Sequence, residues 1–169
     1  MYILETPRLA LRRLALEDAA ELYRIYSDPE TMRFMGSPPD SVEEERRNIL
    51  SHIANHYEKH GVGLWATVLK GRGELVGRCG LMRKRIGGAE EVEIGYLLGR
   101  EYWGRGLATE AAGAILQLGL EGYRYGRIVA VIDPANGASI RVAERVGMSY
   151  EGAVTYGDYG EASLYSSEA

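Results

Sequence analysis

The chain has 169 residues, a length that suits one domain with a substantial hydrophobic core. Its content of 46% hydrophobic and 26% charged residues is ordinary for a soluble globular protein, and the formal net charge of −4 argues against nucleic acid or a membrane surface as partner. The single cysteine, Cys79, excludes an internal disulfide, and the chain has no signal-peptide pattern and no apolar run of membrane-spanning length, so we expect a cytoplasmic protein.

The predicted elements follow the order β-α-α-β-β-β-α-β-α-β-β in a single domain over 1–169. Alternation predicts a strand over 8–14, and helical spacing predicts a helix over 17–26. The dipeptide Asp28-Pro29 and the segment 36–39 are expected to break the chain. Ser41, with Glu44 three residues later, has the pattern of a capping box and begins a helix that reaches about Lys59.

The middle of the chain predicts two strands, over 64–69 and 74–81, joined by a hairpin turn at 70–73. A charged, glycine-bearing turn over 83–91 then leads into a strand over 92–98. A helix over 104–122 and a β-branched strand over 127–133 follow, and together they form the crossover of the parallel type. Asn136 caps a short helix that Gly147 ends, and two weaker strands, 148–156 and 161–165, are joined at 157–160. The result is an α/β (α+β) fold, with a mixed central sheet of about seven strands flanked by about four helices.

The loop before the third helix contains Gly104 and Gly106. The first backbone N–H groups of a helix have no partner inside it and the helix dipole adds positive potential there, so this loop favours an anion, most often phosphate. No Gly-Lys pair occurs, which excludes a P-loop. Thr109 replaces the third glycine of a dinucleotide motif, but Asp133 supplies an acid at the next strand end, so an NAD-dependent oxidoreductase stays open. A tight turn without a ligand is the other alternative.

Two longer motifs surround this loop. The first reads Glu-Ile-Gly-Tyr-Leu-Leu over 93–98 and Tyr-Trp-Gly-Arg-Gly-Leu-Ala-Thr-Glu-Ala over 102–111; the second reads Asn-Gly-Ala-Ser-Ile-Arg-Val-Ala-Glu-Arg-Val-Gly-Met over 136–148. In this order they resemble the acetyl-CoA motifs of the GNAT acyl-CoA N-acyltransferases, in particular the RimJ/RimL-like branch. The segments 6–12 and 27–32 also resemble this branch. The departures are Glu101 for Gln or Arg, Met148 for Phe, and Ala143 for the Tyr that protonates the leaving thiolate in many members.

The resemblance implies acetyl-CoA as co-substrate, no metal, and direct transfer of the acetyl group from the thioester to a primary amine. It implies that backbone N–H groups of the glycine loop hold the pyrophosphate, that Gly95 marks a bulge where its strand splays from the next, and that the main chain there binds the pantetheine arm. The cofactor-binding residues that it implies are Tyr96, Leu97, Leu98, Arg100, Trp103, Gly104, Arg105, Gly106, Leu107, Ala108, Thr109 and Asn136.

The acceptor amine must lose a proton, because free amines with a pKa near 8 or about 10.4 are mostly protonated at pH 7. Glu93 is our candidate for the general base, since it lies on the strand that would carry the thioester. A salt-bridged carboxylate is the alternative interpretation of Glu93, and Glu91 shares its face of the strand. A main-chain N–H of this strand is a candidate for stabilising the oxyanion.

Three side-chain groups remain open in function. His52, His56 and His60 share one helix, a pattern that suggests a metal site. The first and last lie about 12 Å apart, so one metal ion cannot bind all three. The alternatives to a metal site are a solvated helix face and a contact with the acceptor. The basic run 83–85 is a solvated turn or attracts an acidic acceptor. The tyrosines near the C-terminus wall the acceptor pocket or are ordinary strand aromatics; they are Tyr150, Tyr156, Tyr159 and Tyr165.

Cys79 reads as a small buried strand residue and not as a nucleophile. The acceptor is a protein N-terminus or a small-molecule amine, and a homodimer is an expected assembly because members of the family often form dimers. The missing tyrosine at Ala143 keeps a second function open, that of a non-catalytic acyl-CoA-binding module.

Overall fold

A computed structural model describes residues 1–157 and 160–169. The centre of the predicted connection at 157–160, including Tyr159 of the tyrosine-rich segment, lies outside the described residues. Within those described, the strands are β1 (Leu4–Glu5), β2 (Leu9–Arg12), β3 (Leu64–Leu69), β4 (Glu74–Ile86), β5 (Ala89–Leu98), β6 (Arg127–Ile132), β7 (Ser149–Thr155) and β8 (Glu161–Glu168). The helices are α1 (Ala19–Tyr26), α2 (Pro29–Met32), α3 (Val42–His52), α4 (Leu107–Gln117) and α5 (Gly137–Arg145).

Short turns of other helix types extend these elements. A 3₁₀ turn, Leu16–Asp18, leads into α1, and another, Arg100–Tyr102, follows β5. The π-helical turns Ile53–Glu58 and Leu118–Gly122 continue α3 and α4, so that the two predicted helices end close to the expected residues. No helix of the described ranges is long and apolar enough to cross a membrane.

The strands form one mixed sheet in the order β1-β2-β3-β4-β5-β6-β8-β7, which confirms the predicted fold class. Its neighbouring strands pair antiparallel except for β5 and β6, which are parallel and joined through α4 as predicted. Helices cover both faces. On one face, Arg78 of β4 faces α1, and its guanidinium carbon lies 5.0 Å from the centre of the Tyr26 ring. The opposite face is covered near the end of α4, because a side chain at Gly119, just after that helix, would meet Leu81 of β4.

The structure adds two elements that the sequence pattern did not predict. The first is β1, whose two residues pair with β2 and are too few to show a periodic pattern. The second is α2, where a chain break was expected. Asp28 accepts a hydrogen bond from the Glu30 amide at 3.2 Å, and Pro29 occupies the first helical position, where its missing N–H costs nothing.

The predicted charged turn over 83–91 is wrong, because β4 and β5 continue through it to a tight turn at Gly87 and Gly88. The charges belong to the strands: Lys84 lies opposite Glu91, and Arg85 lies opposite Glu90. Oppositely charged cross-strand neighbours stabilise an antiparallel pair, so a charge-rich segment forms a hairpin here and not a loop.

The predicted bulge at Gly95 is also wrong, since the pairing of β4 with β5 runs through Gly95 without a shift of register. The glycine is explained by packing, because a Cβ at this position would lie 3.0 Å from Leu64 Cδ2. The predicted splay agrees with the pairing: β5 and β6 pair at one position, Glu93 opposite Val129, and beyond it residues 94–97 of β5 and 130–132 of β6 line one cavity. A gap therefore opens in the sheet directly after Glu93.

Candidate active site

The glycine loop forms a left-handed turn into α4. Gly104 and Gly106 have φ of 70° and 74°, a conformation that is costly for residues with a Cβ. The first hydrogen bond of the helix runs from the Glu110 amide to the Gly106 carbonyl at 3.0 Å. The amides of Leu107, Ala108 and Thr109 precede it and have no acceptor inside the helix, so they are suited to bind an anion.

Glu110 anchors this loop to the N-terminal segment of the chain. Its Oε1 accepts hydrogen bonds from the Thr6 hydroxyl at 2.6 Å and the Arg8 amide at 2.9 Å, and its Oε2 accepts one from Arg8 Nε at 2.6 Å. Arg8 also donates to the Arg105 carbonyl at 2.8 Å, within the loop itself. Burial alone would raise the pKa of Glu110, but the bonds from Thr6 and Arg8 outweigh it and hold that pKa below its ordinary value. No local sequence pattern indicates this contact, because it joins residues about a hundred positions apart.

A first cavity of about 700 Å³ lies between this loop, the end of β5 and the start of α5. Ten of the twelve predicted cofactor-binding residues line it: Tyr96, Leu97, Leu98, Trp103, Gly104, Gly106, Leu107, Ala108, Thr109 and Asn136. The walls are held by hydrogen bonds. Trp103 Nε1 donates to the Leu98 carbonyl at 2.8 Å, and the Tyr96 hydroxyl donates to the Ser139 carbonyl at 2.8 Å. Asn136 caps α5 as predicted, accepting from the Ser139 amide at 3.2 Å.

The predicted cations Arg100 and Arg105 do not line this cavity. Arg100 lies 3.6 Å from an Asp28 carboxylate oxygen, and the guanidinium of Arg105 lies over the Tyr102 ring. Two other arginines take part in the lining, Arg141 and Arg145. Their spacing of four residues sets both on one face of α5, a signal that the sequence contained and that the analysis did not use.

A second cavity of about 470 Å³ meets the first at the gap between β5 and β6. The wall common to both is formed by Arg33, Phe34, Met35, Tyr96, Leu97, Asn136 and Ser139. The floor of the second cavity comes from one face of β4 and β5, where Met82 and Lys84 lie beside Glu93 and Gly95. Two molecules bound in the two cavities would therefore meet at the splayed strands.

Glu93 is buried in this second cavity, with 6% of its surface exposed. Lys84 Nζ lies 2.9 Å from Glu93 Oε2, and the Tyr156 hydroxyl donates to the same oxygen at 3.1 Å. Lys84 also donates to the Tyr156 hydroxyl. Burial lowers the pKa of Lys84, but the charge and hydrogen bonds of Glu93 and Tyr156 raise it above its ordinary value. The carboxylate therefore faces an ammonium group.

The remaining candidate residues are dispersed. Of the described tyrosines near the C-terminus, Tyr156 lines a cavity, whereas Tyr150 and Tyr165 pack on each other at 5.5 Å between ring centres. From the basic run, Lys84 points into the second cavity. Arg83 lies over the Tyr125 ring and Arg85 is 3.7 Å from Glu90; both side chains are exposed as expected, but the run belongs to β4 and is not a turn.

None of the three histidines lines either cavity. His52 Nε2 accepts a hydrogen bond from the Leu64 amide at 2.9 Å, and the His52 and His56 rings lie 4.5 Å apart. Among the residues described, no group of three or more His, Cys, Asp or Glu side chains is arranged to hold a metal ion. Cys79 is buried as expected, and burial raises the pKa of its thiol to about 11. Ala143 is buried too and faces neither cavity.

The mixed sheet, the glycine loop at a helix N-terminus and the gap between β5 and β6 together define an acyl-CoA-dependent acyltransferase. The dinucleotide alternative is wrong, because a doubly wound fold needs a largely parallel sheet, and this sheet has one parallel pair.

Comparison with known proteins agrees with this class. The acetyltransferase (GNAT) domain family matches residues 8–149. The uncharacterized protein YkkB of Bacillus subtilis (strain 168) is 37% identical over 148 residues, 87% of this chain and 85% of that protein. The uncharacterized N-acetyltransferase p20 of Bacillus licheniformis is 32% identical over 154 residues, 90% of this chain and 85% of that protein.

Solved structures share the whole fold. An acetyltransferase from Agrobacterium tumefaciens str. C58 superposes with a TM-score of 0.82 at 28% identity, covering 98% of this chain and 94% of that one. RimL, a ribosomal L7/L12 alpha-N-protein acetyltransferase solved with coenzyme A, superposes with a TM-score of 0.82 at 21% identity over 99% and 98% of the two chains, which shows a shared fold. The chain belongs to the GNAT acetyltransferase family, and it is an acetyl-CoA-dependent N-acetyltransferase that acts on an amine.

Proposed function

We propose that the first cavity binds acetyl-CoA and that the second admits a primary amine, which attacks the thioester at the gap between β5 and β6. The observation that carries this assignment is the shared wall of the two cavities, which lies directly beside the splayed strands. In this arrangement the amides of Leu107, Ala108 and Thr109 bind the pyrophosphate. Arg141 and Arg145 add positive charge, and Arg100 and Arg105 reach the phosphates by a change of rotamer.

The pantetheine arm would lie against the main chain of Tyr96, Leu97 and Leu98, which is left without a strand partner where β6 diverges. An extended ligand that adds to an open strand edge gains main-chain hydrogen bonds. A backbone N–H of the same stretch then stabilises the negative charge that develops on the thioester oxygen during attack.

Glu93 is the proposed proton acceptor, through a water molecule, for the amine that attacks. Lys84 and Tyr156 act as positioning residues, because Lys84 bonds to one carboxylate oxygen of Glu93 and the Tyr156 hydroxyl lies within hydrogen-bond distance of both, which holds the side chain in place. The amine nitrogen forms the new C–N bond, the C–S bond breaks, and the sulfur leaves as a thiolate that takes a proton from solvent. A tyrosine at Ala143 is dispensable in this scheme, since a thiolate is a good leaving group.

The test is the release of free thiol from acetyl-CoA by the purified protein in the presence of a panel of primary amines and N-terminal peptides. We expect thiol release that depends on the amine, together with acetylated product in equal amount. Tight binding of coenzyme A without thiol release for any amine would favour the non-catalytic acyl-CoA-binding module.

Both classes of acceptor find support among the structural relatives. RimL is a protein acetyltransferase, and MccE, a microcin C7 self-immunity acetyltransferase, was solved with acetyl-CoA and AMP. The cavity of about 470 Å³ has the size of a small-molecule site, so we favour a small amine over a protein N-terminus. A homodimer and a cytoplasmic location remain predictions, which light scattering and cell fractionation would test.

A further inference from the structure

Arg78 stands out among the residues of the second cavity. It lies on β4 opposite Leu97, on the same face of the sheet as Met82 and Lys84, and it lines the cavity floor at the end away from Glu93. Its guanidinium carbon lies over the Tyr26 ring at 5.0 Å, a contact that holds the side chain in place.

The charge of Arg78 has no ion-pair partner within the described chain. No carboxylate oxygen there comes within 4.0 Å of its nitrogens, and its buried Nε has no hydrogen-bond partner. Arg78 interacts electrostatically with the carboxyl group of Glu45, a residue that is 2% exposed. Burial raises the pKa of Glu45 above its ordinary value, against the opposing effects of Asn48 and Arg78.

Lys84, by contrast, is neutralised by Glu93 at 2.9 Å. The other cation at this end of the cavity is Arg33, which is exposed, lies over the Phe34 ring and forms no ion pair with any described residue. The acids Asp133 and Glu161 line the opposite side, at the ends of β6 and β8. The second cavity is therefore polarised, with uncompensated positive charge on the β4 side and carboxylates on the β6 side.

Arg78 is half-buried, and a donor such as its buried Nε that lacks a partner is costly, so a ligand that supplies an acceptor recovers that cost. We infer that Arg78, assisted by Arg33 at the rim, binds a carboxylate group of the acceptor, so that the substrate is a small amino acid with its ammonium group toward Glu93, Asp133 and Glu161. This inference rests on the proposed function and names the substrate class of the same site.

The experiment compares acids with their uncharged amides as acceptors: glycine, β-alanine, γ-aminobutyrate and glutamate, each against the corresponding carboxamide. Charge-assisted bonds to a carboxylate predict kcat/KM about 10- to 100-fold higher for at least one acid than for its amide. The variant Arg78→Met should abolish this preference, because KM should rise more for the acid than for its amide. Arg78→Lys should restore part of it.

Arg83→Met is the matched control, because Arg83 lies on the same strand but points to the opposite face, over the Tyr125 ring. It should leave the preference for the acid unchanged. Arg33→Gln at the exposed rim provides a variant that removes charge without touching the core, and it should reduce the preference by a smaller factor.

A binding arm separates this inference from the proposed function. Acetate, glutarate and inorganic phosphate are titrated into the protein saturated with coenzyme A, and the melting temperature is recorded for wild type and Arg78→Met. Stabilisation by glutarate that is lost in the variant supports the inference even if no amine is acetylated. Equal kcat/KM for acids and amides, a preference for phosphoethanolamine, or acetylation of peptides alone would overturn it.

Discussion

Lys84 Nζ lies 2.9 Å from the Glu93 carboxylate, inside the cavity that we assign to the acceptor. The sequence left two interpretations of Glu93 open, a general base and a salt-bridged carboxylate; the geometry confirms the salt bridge, and the role of general base stays a proposal. The ammonium partner holds the carboxylate in one orientation. A base of this kind works through water on an amine whose own pKa falls as it leaves bulk solvent.

We expect Glu93→Gln to lower kcat by about 100-fold, within the range for loss of a general base. The affinity for coenzyme A should stay within about twofold, because Glu93 faces the second cavity and not the first. Steady-state kinetics and calorimetric titration with coenzyme A measure the two quantities. Glu90→Gln, an exposed change three residues away, serves as the control, and an unchanged kcat in Glu93→Gln would remove this residue from the mechanism.

The glycine loop is tested with Gly106→Ala. A Cβ at Gly106 has space, since its nearest contact is Arg8 Nη2 at 3.5 Å, so the change acts through the φ of 74°. A left-handed alanine costs about 1–2 kcal/mol and shifts the amides of the first turn of α4. We expect the affinity for coenzyme A to fall by about 10-fold.

Gly71→Ala is a matched control for that change. Gly71 has φ of 85° with no atom within 4 Å of a built Cβ, and it lies in the hairpin turn between β3 and β4. The melting temperature of Gly71→Ala should fall by about as much as that of Gly106→Ala, but its affinity for coenzyme A should not change. Equal loss of affinity in both variants would show that strain alone, and not the geometry of the loop, explains the Gly106 result.

The contact of Glu110 with Arg8 and Thr6 predicts a coupled loss of stability and binding. Glu110→Gln keeps the shape of the side chain but removes its charge and one acceptor, so we expect unfolding to become easier by about 1–2 kcal/mol. The affinity for coenzyme A should fall as well, because Arg8 also holds the Arg105 carbonyl of the loop. Glu121→Gln, beyond the far end of α4, is the control; a stable Glu110→Gln with full affinity would contradict the anchoring role.

His52 predicts a loss of stability in mild acid. Burial, with help from the charges of His56 and Arg78, lowers the pKa of its imidazole to about 4, against an ordinary value of 6.5. Because the folded-state pKa is the lower one, the unfolded chain takes up the proton first. Its stabilising contribution is therefore complete above pH 6.5 and is lost as the pH falls toward 4.

The size of this effect is at most about 3 kcal/mol, since each pKa unit corresponds to 1.36 kcal/mol. His52→Gln can still accept the Leu64 amide, and it should flatten the dependence of the unfolding free energy on pH between 6.5 and 4. Urea titrations at several pH values measure it. His60→Gln on the same helical segment is the control, and an identical slope in His52→Gln and wild type would contradict the assignment.

Local sequence was sufficient to predict much of the first cavity. Two glycines before an apolar helical stretch, a strand before them and Asn136 after the next strand are features set by neighbouring residues, since backbone conformation and helix capping act over a few positions. For this reason the crossover of β5, α4 and β6, the cap at Asn136 and most of the lining of the first cavity could be predicted. The predictions for α2 and for the charged hairpin were wrong. Composition suggested a chain break and a turn there, but a helix cap and cross-strand charge pairs stabilise a helix and two strands instead.

The sequence by itself determined the fold class, the family and most of the residues that line the first cavity, because these depend on periodicity and on short motifs. Only the tertiary structure decided which charges have partners. The bonds of Glu110 to Arg8 and of Lys84 to Glu93 depend on which strands and loops lie side by side in space, and so does the lack of an ion-pair partner for Arg78 among the described residues. Electrostatic energy depends on distances and burial that no linear pattern contains, and the acceptor side of this enzyme is built from such contacts.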